Sequence, residues 1–408
     1  MKKENFIAIL EIGSEKFVCS AAKKKDDKIT ILAVRQCYSK GLEKGSVISI
    51  QKAAESIKKV VEEVEIIINK KIEYLFIGIR GEHIHTDKAK GVINIARTNK
   101  EITEDDKSLV LQNIYEQINL DKDRTILEIV PIIYTVDTQK GIIDPKGMDA
   151  NHLQLDAYII TASSLVLNNI YKAINNTGFK VLGICYNQIA LANNCLLPEE
   201  QEIGVALIDI GSKLTDISVY KNNRLFFTKE IILGGDLLVN DIAFGLKTSL
   251  TRARNLIENY GFANPNNALD DEEINFYGVD GITKNTTTKI ILAEIINARL
   301  EEICKIIDDI LTEFRIKPII PSGIVLTGGT AKLKFIQDTM KDFLDIPIRI
   351  GTSQDVYGDK DIIADTAFSS SIGIITHYFK NKDSIFSKQK NSRFSFFPNF
   401  KKYLEGIF

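Results

Sequence analysis

The strongest constraint on this chain is that it repeats itself. "FIAILEIGSEKFVCSAA", near the start, and "GVALIDIGSKLTDISVY", about two hundred residues later, follow one order: an apolar run, an acidic residue, Ile-Gly-Ser, then a second apolar run. Aligned, Glu11-Ile12-Gly13-Ser14 falls on Asp209-Ile210-Gly211-Ser212. Each copy reads as a β-hairpin with Gly-Ser at its turn and a carboxylate beside it. A supersecondary unit that recurs once implies two similar halves with a cleft between them.

The turn chemistry suggests what the cleft holds. A Gly-Ser turn can aim backbone N–H groups and a hydroxyl at phosphate oxygens. The neighbouring carboxylates, Glu11 and Asp209, are placed to hold Mg²⁺ through water, because that ion gives up its hydration reluctantly. Ordinary hairpins also use Gly and Ser, so one such turn says little; two in register say more. "SGIVLTGGTAKL" adds a buried strand, Ile324 to Thr327, running into Gly328-Gly329 and a helix start. "ILGGDLLVNDIA" repeats that logic at Gly234-Gly235-Asp236. Glycines at such junctions let a nucleotide approach the backbone, although plain turns use them too.

Between the copies lies a segment of different character. "GVINIAR", "ILEIVPIIYTVD" and "HLQLDAYIITAS" read as strands around a helical stretch near Glu104 to Ile118, an α+β unit inserted at about 82–161. The first half is then 1–81 with 162–203 and 356–379, and the second is 204–355. Helical period marks Ser49 to Ile68, with Ala53, Ala54, Ile57, Val60, Val61, Val64 and Ile67 inward. The same period marks Leu292 to Leu311, with Ile295, Ile296, Leu300, Ile303, Ile306, Ile307 and Ile310 inward.

Composition narrows the function classes. A net charge of −2 over 408 residues argues against nucleic-acid binding. The sequence has no run of eighteen apolar residues that could span a bilayer, and the start reads straight into a strand without the pattern of a secretory signal. Five scattered cysteines fit a reducing compartment, and His83 and His85 lack a nearby third ligand for a metal.

The end of the chain is distinctive. Residues 380–393, "KNKDSIFSKQKNSR", are polar and lysine-rich and read as a flexible linker. In 394–408, Pro398 suits a first helical position, and Phe400, Tyr403, Leu404, Ile407 and Phe408 then form one apolar stripe. Lys401 and Lys402 lie on the opposite face. Eleven residues of helix reach about 16 Å, too short to cross a bilayer. The stripe suits a helix docked on its own core or one lying in a membrane interface. The tether decides for the membrane: from Lys380 onward seven basic side chains face two acidic ones, a charge suited to anionic lipid.

The stretches "EIGSEK", "RGEHI", "GVALIDIGSKLTDISVY", "GGDLLVNDIAFGL", "GIVLTGGTAKL" and the amphipathic terminus, in this order, resemble the FtsA family of bacterial cell-division proteins, within the actin, chaperone and sugar-kinase superfamily. The resemblance implies an α/β fold of the actin-like ATPase type, two similar halves around a nucleotide cleft with a small inserted α+β domain. It implies ATP and Mg as cofactors, with Gly13, Ser14, Lys16, Gly211, Ser212, Thr215, Asp216, Gly234, Gly235, Asp236, Gly328 and Gly329 at the nucleotide and Glu11, Asp209 and Gln188 at the catalytic position. It implies peripheral attachment to the cytoplasmic face of the inner membrane through Phe400, Lys401, Lys402, Tyr403, Leu404, Ile407 and Phe408. Its partners would be the C-terminal peptide of FtsZ, bound by Arg299 and Glu302 on a subdomain at about 246–304, other copies of itself, and later division proteins met by the insert. Ser212 and Lys213 replace glycines of the family pattern, and Arg254 and Ile257 replace a Glu and a Lys. Both departures imply a looser hold on ATP. A pilus-assembly protein of the PilM type and a phosphotransferase are the other members of the superfamily to weigh.

Overall fold

The computed structural model describes residues 5–13, 15–118, 121, 123–267 and 272–391. Two sheets carry the repeat. In the first half, Lys28–Tyr38, Lys16–Lys25 and Asn5–Ile12 run antiparallel, and Tyr74–Ile79 and Lys180–Tyr186 then add in parallel. In the second half, Arg224–Ile231, Thr215–Lys221 and Val205–Ile210 run antiparallel, followed in parallel by Ile324–Thr327 and Ile348–Ile350. The strand order is the same in both. Val356–Tyr357 extends the first sheet at its edge.

The helices cover these sheets for the reasons their periodicity gives. Ile50–Ile68 buries Ala53, Ile57, Val60, Val61 and Val64 against the first sheet. The larger aliphatic side chains contribute about 1.5–3 kcal/mol each. Ile67 is exposed instead of buried, and Glu65 turns inward, accepting the Ile72 N–H at 2.6 Å and the Lys71 ammonium at 2.7 Å. Lys289–Glu313 buries Leu292, Ile296, Leu300, Ile303, Ile307 and Ile310 in the second half, while Ile306 faces out.

The insert is a separate antiparallel sheet, Ile84–Asn94, His152–Ser163, Arg124–Val136 and Gln139–Ile142, with helix Glu104–Gln117 packed on it. Thr103 starts that helix through a reciprocal cap with Asp106.

The last helix differs from expectation. Ser369–Asn391 is one continuous helix, and it takes in 380–391, where composition suggested an irregular linker. The segment carries no Pro and no Gly, so nothing in its backbone stops a helix already anchored by Ile372, Ile375, Tyr378 and Phe379 in the first half's core. The amphipathic stripe Phe400, Lys401, Lys402, Tyr403, Leu404, Ile407 and Phe408 lies outside the described residues.

Candidate functional site

The two hairpins close alike. Gly13 N–H donates to Lys16 O at 3.0 Å, and Gly211 N–H donates to Leu214 O at 2.9 Å. These glycine N–H groups therefore tie their own turns instead of pointing at a ligand. Between the hairpins lies a cavity of about 610 Å³, enough for a nucleotide. Both halves line it: Glu11, Gly13, Glu15, Lys16 and Arg80 from the first, and Asp209, Gly211, Ser212, Gly235, Asp236, Gly328 and Gly329 from the second.

Gly328 sits at φ +95°, and a Cβ there would strike Asp209 Oδ1 and the Ile210 carbonyl. At Gly329 an added Cβ would meet nothing, so its backbone is open to the cavity. This glycine pair is the cradle that fits a nucleotide. Gly234 has a different task. The N–H groups of Gly235 and Asp236 donate to Gly211 O and Ser212 O, both at 2.8 Å, and a Cβ on Gly234 would collide with Ser212 O. This helix start thus clamps the second hairpin, and those two donors are not left for an anion.

Three further candidates stand behind the wall. Thr215 is buried and donates to Leu233 O at 2.7 Å. Asp216 is buried in an ion pair with Arg80. Gln188 is turned away from the cavity, donating to Ser218 Oγ at 3.0 Å, so it is not set to orient a water there. Its neighbour Asn187 donates to Glu11 Oε1 at 3.3 Å. Ser14 lies outside the described residues. Lys213 does not line the cavity; it acts on Asp236 through its field.

The residue that sequence reasoning passed over is Arg80. It directly follows strand Tyr74–Ile79 of the first half and crosses to the second, donating to Asp209 Oδ2 at 2.8 Å, to Asp216, and to Leu214 O at 3.4 Å. Strand register explains the need. Asp209 pairs directly with Asp216, and Asp216 with Glu230, so three carboxylates stand in a row across three strands. Like charges opposite each other destabilise a sheet, and a buried row of them demands a cation. Burial works against the charge on Arg80, but Asp216, Asp209, Glu230 and Glu11 hold the guanidinium firmly protonated. Burial raises the Asp216 carboxyl, and burial together with Asp216 raises that of Glu230, which also accepts Gly81 N–H at 3.2 Å. The closed Gly211–Leu214 turn makes Asp209 opposite Asp216 readable in sequence, but not which distant cation holds them.

A second cationic bridge closes the mouth. Arg254 reaches Asp236 at 3.2 Å and Glu15 of the first half at 3.6 Å, and lies 5.2 Å from the Tyr38 ring. Burial, then Glu15, raises the Asp236 carboxyl.

The acidic pair does not fit a divalent cation. Asp209 gives Oδ2 to Arg80 at 2.8 Å, and that guanidinium already counters its charge. Burial pushes the Glu11 carboxyl up to about 7, so it is a poor anion at neutral pH.

Arg299 lies on the outer surface of the second half. It is forked onto Asp241, with Nη2 to Oδ1 at 2.8 Å, and also holds Glu302. These contacts use three of its five N–H groups. Nearby, the hairpin Glu273–Tyr277 and Lys284–Thr288 is tied to the main body by Val279 N–H donating to Lys247 O at 3.1 Å. That bond gathers exposed Phe244, Val279 and Ile282 at one corner.

Two matching sheets around a glycine-lined cleft define an actin-like ATPase fold. Solved structures agree on the fold: the "PilM-PilN type IV pilus biogenesis complex" (TM-score 0.66, 15% identity, 91% of this chain and 98% of that one) and MreB5 of Spiroplasma citri bound to ADP (0.57, 11%, 95% and 99%). The profile described as "Cell division protein FtsA" matches residues 206–373, and that described as "SHS2 domain inserted in FTSA" matches 81–161. The FtsA of Neisseria meningitidis serogroup B is 32% identical over 92% of this chain and 90% of its own length; that of Bacillus subtilis is 29% identical over 93% and 85%. The chain belongs to the FtsA family and is an actin-like cell-division protein.

Proposed function

We propose that this chain binds ATP between its halves, associates with further copies of itself, and holds the FtsZ ring at the cytoplasmic face of the inner membrane, where its insert meets later division proteins. The observation that carries this reading is that similarity to FtsA proteins spans both halves and the insert together. The cavity of about 610 Å³ with its open Gly329 backbone supports the nucleotide. Among the described residues no helix is long and apolar enough to cross a membrane, so attachment rests on the basic, amphipathic segment 394–408. The exposed corner of Phe244, Val279 and Ile282 offers apolar surface for self-association.

Arg299 is the proposed anchor for the FtsZ peptide. Asp241 fixes the guanidinium plane, and the two N–H groups not used in its contacts with Asp241 and Glu302 are available to a peptide carboxylate. In a fluorescence-anisotropy titration with that peptide, Arg299→Glu loses about 1.5–3 kcal/mol, roughly ten- to hundredfold, and Arg299→Lys loses less. Unchanged affinity in a folded Arg299→Glu protein removes this helix from the interface. Deleting 394–408 should abolish co-sedimentation with anionic vesicles while leaving the thermal midpoint in place. A large fall in midpoint would favour the docked-helix alternative.

A further inference from the structure

We propose that Arg80 is the built-in counter-ion of this cleft, standing at Asp209 where a divalent cation would otherwise bind, so that a nucleoside polyphosphate binds here without one. The proposal rests on the nucleotide reading above and specifies the form of the ligand.

Four observations carry it. Arg80 lines the cavity although it is only 6% exposed, so its guanidinium forms part of the wall a phosphate would face. It lies against the second hairpin's turn: a Cβ on Gly211 would be 3.2 Å from Arg80 Nη1. Its Nε–H is buried without a hydrogen-bond partner. And Asp209 gives Oδ2 to Arg80 at 2.8 Å, so its charge is already countered by a guanidinium.

Physical chemistry then excludes the metal from this position. A hydrated Mg²⁺ needs an anionic oxygen facing open space, because it binds through its own water shell. Asp209 faces a guanidinium instead. For a metal to take its place, Arg80 would have to leave Asp209 and with it Asp216, stranding a buried carboxylate; breaking such a pair is strongly unfavourable. Glu11 is little freer: it is buried, and Asn187 donates to its Oε1 at 3.3 Å. Every charged group facing Arg80 (Asp209, Asp216, Glu230 and Glu11) is acidic, which is why the guanidinium stays put. The remaining phosphate charge falls to Lys16, Lys332 and Lys334, which also line the cavity.

The test uses the full chain and ATP itself, titrated by calorimetry in excess Mg²⁺ and again in EDTA. The wild type should show affinities within about threefold of each other. A loss of about tenfold or more in EDTA overturns the proposal while leaving the nucleotide reading intact. No binding in either buffer overturns both. Mn²⁺ binding to the nucleotide-free protein, followed by its paramagnetic resonance signal, should be undetectable at the cleft; a site abolished by Asp209→Asn would count against the proposal. The triple variant Arg80→Ala/Asp216→Val/Glu230→Gln removes the guanidinium together with the charges it neutralises. It frees Asp209 and should gain a Mg²⁺ dependence of about tenfold. A folded triple variant as indifferent to Mg²⁺ as the wild type also overturns the proposal. The wild-type comparison needs no variant and decides by itself.

Discussion

The two hairpins occupy matching places in matching sheets, yet their electrostatics have parted. Across the three antiparallel strands of the first half the register sets Glu11, Val18 and Gln36 in a row. The same row in the second half is Asp209, Asp216 and Glu230. One half carries a single carboxylate among neutral neighbours, and burial drives that acid up to about 7. The other concentrates three and borrows a guanidinium from across the cleft to hold them. Backbone topology survives duplication more readily than charge does, because a sheet fixes where side chains stand and not what they are. The consequence is directional: the second half depends on a residue of the first, and the first does not return the debt at this row.

The largest effect follows from removing that residue. Arg80→Ala leaves buried carboxylates without a partner and should cost about 3–5 kcal/mol in urea denaturation at neutral pH. Most of that loss should be recovered at lower pH, where the stranded acids protonate. A change below about 1 kcal/mol would mean the row is not held by Arg80.

Next in size is the pH dependence that Glu11 imposes. Its carboxyl titrates near 4.5 in the unfolded chain and near 7 in the folded one. Between those values the folded state holds the extra proton, so stability falls as pH rises through the window and levels off above it. The span is at most about 3 kcal/mol. Glu11→Gln should flatten the wild-type fall between pH 5 and 7.5. Parallel curves for the two proteins would place the titration elsewhere.

The smallest effect belongs to Glu230→Gln. Burial and Asp216 already favour its protonated form, and an amide can still accept Gly81 N–H. Stability at neutral pH should move by less than about 1 kcal/mol. A loss of several would show that Glu230 is a full anion and that the row carries three charges.

Sequence made the halves legible because the repeat is local: Gly13 and Gly211 each close a four-residue turn, and the flanking apolar runs declare the strands. The inserted sheet was readable for a similar reason, since its strands alternate and Thr103 caps its helix. Arg80 was not readable, because its meaning depends on Asp209 and Asp216, 129 and 136 residues further on, and an arginine ending an apolar strand looks like ordinary solvated charge. Thr215 and Gln188 were misplaced because a motif names residue types without fixing which side of a strand or helix end faces the cavity. Residues 380–391 read as a linker by composition because composition reports solubility, whereas continuity with a packed helix decides conformation.

That continuity has a mechanical consequence. A flexible tether would pass on only tension, leaving the body free to swivel above whatever its end is fixed to. Twelve residues of helix beyond Phe379 form a rod of about 18 Å instead. A rod rooted in the core beside strand Asn5–Ile12 transmits angle and torque as well as distance. The azimuth of the cleft is then coupled to the direction in which the chain leaves Asn391, and a rearrangement between the halves can be felt as a tilt at the far end of that lever.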